Sequence, residues 1–156
     1  MSAMDKPALE AALRPLVEMI AGIDLFDPRA AERLRELAPL DSPLVASIRA
    51  IAEAGAKAGW LLPKTNAGVA FGRVAKDLDG FSVDAVRMSS PGPEHVHPKG
   101  EVDLCFALDG KPRFDGQAPG WVVYPPGSRH VPTVSGGTML ILYFLPEGAI
   151  EFIANA

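Results

Sequence analysis

Apolar residues recur along this chain with two different periods. Leu9, Leu13, Leu16, Val17 and Ile20 share one face of a predicted helix. Pro7 suits its first turn, and Pro15 should kink or split it. Asp27-Pro28 signals the start of a second helix, with Ala31, Leu34 and Leu37 on one side and Pro39 as its stop. Ser42-Pro43 repeats that signal for a third, whose apolar face is Leu44, Ile48 and Ile51 and whose end lies near Gly55. Past residues 59–63 the period shortens to that of strands. These are expected at 68–74, 80–88, 94–97, 101–107, 120–124, 129–134, 138–145 and 149–153. Asp79-Gly80, Asp109-Gly110, Asp115-Gly116 and Gly136-Gly137 are the expected reversals. The segment 138–145 is apolar on both faces, so it reads as a central strand covered by the helices or by a partner subunit.

Composition sharpens this division. The first 60 residues hold 14 of the 23 alanines and only 3 of the 15 glycines, and all three histidines lie beyond them. The chain of 156 residues is 48% hydrophobic and 22% charged, which fits one folded domain and excludes a wholly disordered chain. A net charge of −4 lacks the footprint of a nucleic-acid binder. The single cysteine cannot form an internal disulfide. No apolar run reaches membrane-spanning length, and the first residues lack a basic stretch followed by an apolar one. The expected setting is the cytoplasm, with no membrane partner. No GxGxxG or GxxxxGK[ST] loop is present, so no nucleotide cofactor is expected.

The candidate chemistry lies in His95-Val96-His97-Pro98-Lys99-Gly100-Glu101. Side chains alternate along a strand, so His95 and His97 point to one side and can grip one metal ion. Pro98-Lys99-Gly100 is a bend that would return Glu101 toward that ion. The third histidine, His130, follows the Pro126-Gly127 turn. Three imidazoles and a carboxylate give an N₃O site for a divalent ion such as Zn, Fe, Mn or Ni, with open coordination positions. Asp103 and Cys105 share the face of Glu101. Asp103 is either a proton-transfer group or a strand-end carboxylate in water, and Cys105 reads as a small buried hydrophobe.

These residues resemble the cupin family. Its first motif appears as His95, His97, Glu101 and Gly110, and its second as Gly120, Pro125, Gly127 and His130. The gap from Glu101 to Gly110 is longer than the usual pattern, that from Gly120 to Pro125 is shorter, and Val134 stands where an Asn is common. The run GWVVYPPGSRHVPTVSGGTMLILYFLPEGAIEF, with HPKGEVDLCFALDG upstream, is similar to the 4-hydroxylaminobenzoate lyase family. The resemblance implies a mainly β fold, a single cupin barrel over 61–156 with a helical extension over 1–60 that packs on the barrel or a dimer partner. It implies conversion of 4-hydroxylaminobenzoate to protocatechuate with release of ammonia, in 4-nitrobenzoate breakdown. The implied metal ligands are His95, His97, Glu101 and His130, with Glu101 either ligand or acid/base.

A benzoate substrate needs a cation, and arginine offers bidentate geometry. Arg87 shares its strand face with Phe81, Val83 and Ala85, so it either points inward to bind substrate or faces water beyond the strand end. Tyr124, Trp60, Trp121 and Phe106 are candidate ring contacts, with Tyr124 carried forward as substrate-binding. Arg129 should point away from His130, and Lys99 is a rim cation or surface charge. Two other classes remain open, an iron-dependent cupin dioxygenase and a non-catalytic small-molecule binder. A homodimer is expected by analogy alone.

Overall fold

The structure, a computed structural model, describes residues 4–153; positions 1–3 of the expected helical extension and 154–156 of the expected barrel lie outside the described residues. Helix α1 runs over Lys6–Ala21, α2 over Ala30–Leu37 and α3 over Pro43–Ala58. Asp5 caps α1 by accepting from the Ala8 amide at 2.9 Å. The helix does not split at Pro15. Proline there removes one intrahelical donor, but Leu9 and Leu13 before it and Leu16, Val17 and Ile20 after it are all buried in one core. Shared packing keeps the two halves in line.

Helix α2 starts later than its signal. The Asp27 side chain accepts from the Arg29 amide at 2.9 Å, so Asp27-Pro28 forms a turn ahead of the helix. Its buried stripe is Ala30, Leu34 and Ala38, four residues apart, while Leu37 is 49% exposed. The expected face was therefore rotated. Helix α3 begins at the Ser42 cap, which accepts from the Val45 amide. It ends at Gly59, whose φ of 94° is the left-handed conformation common after helices.

Nine strands follow among the described residues: β1 Lys64–Asn66, β2 Val69–Leu78, β3 Phe81–Met88, β4 His95–His97, β5 Glu101–Phe114, β6 Gly120–Tyr124, β7 Ser128–His130, β8 Val134–Pro146 and β9 Glu151–Phe152. They form a six-stranded sheet in the order β1-β2-β3-β8-β5-β6 and a three-stranded sheet in the order β7-β4-β9. The pairings are antiparallel throughout. The fold is mainly β with helices at the N-terminal side, as the motifs imply. Strand β1 had no sequence signal, being only three exposed residues.

Two expected reversals are not turns. Asp109 pairs with Thr138 and Gly110 with Gly137, so both dipeptides lie inside the long β5–β8 ladder, at its register shifts. A Cβ on Gly137 would sit 2.2 Å from the Asp109 carbonyl oxygen, so glycine marks a close backbone approach here. Asp79-Gly80 and Asp115-Gly116 are true turns, with positive φ at both residues of each.

Alternation gives the large sheet two faces. Val83, Ala85, Leu104, Phe106, Leu142 and Phe144 pack with the three helices into one core. Cys105, Val122, Met139 and Ile141 point the other way, into the barrel. The helices, not a partner subunit, thus cover the apolar outer face of β8. Trp121 ties the layers together. Its indole Nε1 donates to the Ala38 carbonyl at 2.7 Å, and Arg35 donates to the Trp121 carbonyl at 2.9 Å. Replacing Trp121 with Phe leaves that buried carbonyl unpaired and opens a void. The expected loss is about 1–3 kcal/mol, read by urea unfolding of wild type and variant.

Candidate metal centre

The pairing of β4 with β7 builds the site. Register sets His95 opposite His130 and His97 opposite Ser128. Directly paired residues share a face, so three imidazoles point into the barrel. Beyond β4 the chain turns sharply at Gly100, whose φ is 93° and whose amide donates to the His97 carbonyl. A Cβ on Gly100 would approach the Tyr124 carbonyl oxygen to 3.0 Å. The turn returns Glu101 to the histidines. His97 Nε2 lies 3.2 Å from one Glu101 oxygen, and His95 and His130 Nε2 each lie 3.7 Å from a Glu101 oxygen. One ligand atom from each of the four residues lies within 4.8 Å of all the others.

The outward-facing nitrogens are occupied. His95 Nδ1 lies 3.0 Å from the Pro93 carbonyl oxygen, which only accepts, so Nδ1 carries the hydrogen. His130 Nδ1 donates to Asp115 Oδ2 at 2.6 Å. His97 Nδ1 lies 2.9 Å from Ser128 Oγ. In neutral rings the lone pairs of His95 and His130 are then on Nε2, and that of His97 is there too when its Nδ1 donates to Ser128. Two of them, on His95 and His130, lie 3.1 Å apart. The third, His97 Nε2, is buried without any hydrogen-bond partner. Lone pairs facing one another beside a carboxylate call for a cation between them. Two ligands about 2.1 Å from one ion and at right angles to each other stand about 3 Å apart. The donor set and its spacing therefore fit a divalent metal.

Asp115 was not found from the sequence, where Asp115-Gly116 gave only a turn signal. It accepts from His130, from the Tyr124 hydroxyl and, through its other oxygen, from the Thr133 amide at 2.8 Å. It fixes the ring orientation and tautomer of His130. Tyr124 accordingly stands behind His130, with ring centroids 4.2 Å apart, rather than on the cavity wall.

Electrostatics follow from burial and charge. Burial opposes ionisation of Glu101, but His95 and His97, where protonated and donating to it, hold its carboxyl well below the usual carboxylate range. Burial, then the charge of Glu101, pushes Asp103 well above that range. Burial also raises the Cys105 thiol, matching its reading as an inert small hydrophobe.

His95 and Glu101 line a cavity of about 660 Å³ between the two sheets, with His97 and His130 grouped beside them. Asp103 lies in its wall, with Oδ2 buried and unpartnered. Arg87 does not reach it. It shares a face with Phe81, Val83 and Ala85, but that is the helix-covered face, and at the strand end Arg87 is exposed. Trp121 and Phe106 belong to the helix-side core and Trp60 packs against it. Arg129 pairs with Glu94, and Lys99 with Glu147. Tyr143, overlooked in the apolar run of β8, lines the cavity. It stands between Asp84 on β3 and Asp103 on β5 in one row.

Three histidines and a glutamate grouped beside a cavity between antiparallel sheets make a candidate metal site, the arrangement that the cupin motifs imply. The family model described as PnbB, 4-hydroxylaminobenzoate lyase, matches residues 12–152, and the chain belongs to that family. A 4-hydroxylaminobenzoate lyase from Pseudomonas putida is 34% identical over 83 residues, 51% of this chain and 47% of that one. One from Nocardioides sp. (strain LMS-CY) is 34% identical over 85 residues, 49% of this chain and 50% of that one. The matched stretch spans about half the length of these relatives. Among solved structures, an RmlC-like cupin protein from Ralstonia eutropha is similar, with TM-score 0.44 and 17% identity over 58% of this chain and 62% of that one. An acetylacetone dioxygenase from Acinetobacter johnsonii gives TM-score 0.45 and 15% identity over 58% and 66%.

Two substitutions test the centre. His97→Ala should abolish stoichiometric metal binding, and Asp115→Asn should weaken it by about 10–100-fold. Chelator competition followed by elemental analysis measures both. Unchanged affinity in Asp115→Asn would remove Asp115 from the site's support.

Proposed function

We propose that this chain is a metal-dependent lyase converting 4-hydroxylaminobenzoate to protocatechuate and ammonia, a step of 4-nitrobenzoate breakdown. The observation carrying this reading is the grouping of His95, His97, His130 and Glu101 beside a mostly apolar cavity, in a member of this family. The reaction is redox-neutral and consumes one water overall. The N–O bond breaks, water oxygen enters the ring carbon adjacent to the one bearing nitrogen, and the resulting imine hydrolyses.

His95, His97, His130 and Glu101 would hold the ion, which supplies Lewis-acid polarisation of the N–O bond and acidifies water. Asp103 is the proton-transfer group of this reading. Asp103 lines the cavity, its Oδ2 is buried without a hydrogen-bond partner, and burial beside Glu101 favours the protonated acid. It can donate toward the departing oxygen. The apolar walls from Val69, Phe71, Val86 and Ile141 receive the ring and limit access of bulk water.

The test is anaerobic incubation with 4-hydroxylaminobenzoate, measuring ammonia, protocatechuate and metal on one sample. Stoichiometric products without O₂ are expected. Product only with O₂ would mean an oxygenase, and tight binding without product would mean a binder. Asp103→Asn should retain metal and lose about 10²–10⁴-fold in kcat. Undiminished turnover would remove Asp103 from the reaction.

A further inference from the structure

Of the two tyrosines in the chain, Tyr124 commits its hydroxyl to Asp115. Tyr143 is half-buried, lines the cavity and makes no hydrogen bond among the described residues. Burial pushes its phenol upward, so the hydroxyl stays protonated and able to donate. Register fixes its neighbours. Tyr143 stands directly opposite Asp84 on β3 and Asp103 on β5, and side chains paired in this way share a face, with Cβ atoms about 5 Å apart. Asp84 is held by Arg73 at 3.0 Å. Asp103 is not held in that way, since its Oδ2 is buried without a partner. Two adjacent residues of one cavity wall thus each keep a polar group unused.

A substrate oxygen brought to Asp103 is therefore brought to the row of Tyr143. The other wall side chains able to hydrogen-bond are Asn66 and the metal-site residues His95 and Glu101. Asn66 is remote. It pairs with Val69, four residues along β2 from Arg73, which begins the row of Tyr143 and Asp103. Four residues of strand rise roughly 13 Å. Between the two levels lies the apolar row of Phe71, Val86 and Ile141, which suits the ring of the substrate.

We propose that the Tyr143 hydroxyl donates a hydrogen bond to the hydroxylamine oxygen of the substrate, beside Asp103, and so fixes the direction of the N–O bond. This rests on the lyase reading above. Asp103 gives its proton to that oxygen as the N–O bond breaks. The bonding electron pair leaves with the oxygen, which departs as water, and Asp103 regains a proton when another water adds to the ring. Tyr143 gives up no proton. Its hydrogen bond holds the oxygen within reach of Asp103 and stabilises the charge that builds on it.

The test is Tyr143→Phe on the metal-loaded full chain, without O₂. The variant should keep the wild-type metal content and lose about 10–10²-fold in kcat, with KM raised by no more than about tenfold. Undiminished kcat/KM overturns the proposal. Calorimetry compares two unreactive ligands on both proteins. One is 4-(hydroxymethyl)benzoate, which keeps an oxygen at the hydroxylamine position, and the other is 4-ethylbenzoate, which does not. The preference for the hydroxymethyl compound should fall about three- to tenfold in the variant, as for the loss of one neutral hydrogen bond, with the affinity for 4-ethylbenzoate unchanged. An unchanged ratio overturns the proposal, and an equal loss for both ligands would put the hydroxyl against the ring or its carboxylate instead. If the wild type yields no product, the lyase reading falls, while the ligand ratio still decides what the Tyr143 hydroxyl touches.

Discussion

Three imidazoles aim their free nitrogens at one carboxylate, and much of the barrel serves to keep them there. Left neutral and empty, such a cluster is unfavourable. The Nε2 lone pairs of His95 and His130 face one another at 3.1 Å, and His97 Nε2 is buried with no partner. Each ring is prevented from turning away by what holds its other nitrogen. Those holders are the Pro93 carbonyl, the Ser128 hydroxyl and the Asp115 carboxylate. The scaffold thus stores a site that a divalent cation relieves. A bound cation would thereby couple metal binding to fold stability.

The two faces of the large sheet divide the labour. The outer face is an ordinary apolar core shared with the helices, which contribute no group to the metal centre. Without them β8, apolar on both sides, would expose Leu140, Leu142 and Phe144 to water. The inner face carries the polar groups, and cross-strand register arranges them. Arg73, Asp84, Tyr143 and Asp103 lie in one row across β2, β3, β8 and β5. The Arg73–Asp84 pair closes the outer end of that row, and among the described residues no Lys or Arg pairs with Asp103.

Much of the site was legible because it is local. His95 and His97 are two apart on one strand, Glu101 follows after a proline-glycine bend, and His130 follows another. Alternation and turn chemistry suffice to propose that these four converge. Asp115 was legible only as half of a turn, because its partners His130, Tyr124 and Thr133 arrive from two later segments. Arg87 shows the limit of the same reasoning. Alternation correctly grouped it with Phe81, Val83 and Ala85, but parity along a strand does not say which of two apolar faces is the cavity.

The sequence by itself determined the helices, the strand periodicity, the glycine-dependent bends and the four ligand candidates. These depend on neighbours within a few residues, where backbone sterics and side-chain alternation act. Only the tertiary structure decided that Asp109-Gly110 and Gly136-Gly137 meet within one ladder, that Tyr143 stands beside Asp103, and that no Lys or Arg among the described residues lines the cavity. Those facts depend on pairings between strands far apart in the chain. Their register is set by which faces the helices bury, an energetic choice made by the whole molecule rather than by any local segment.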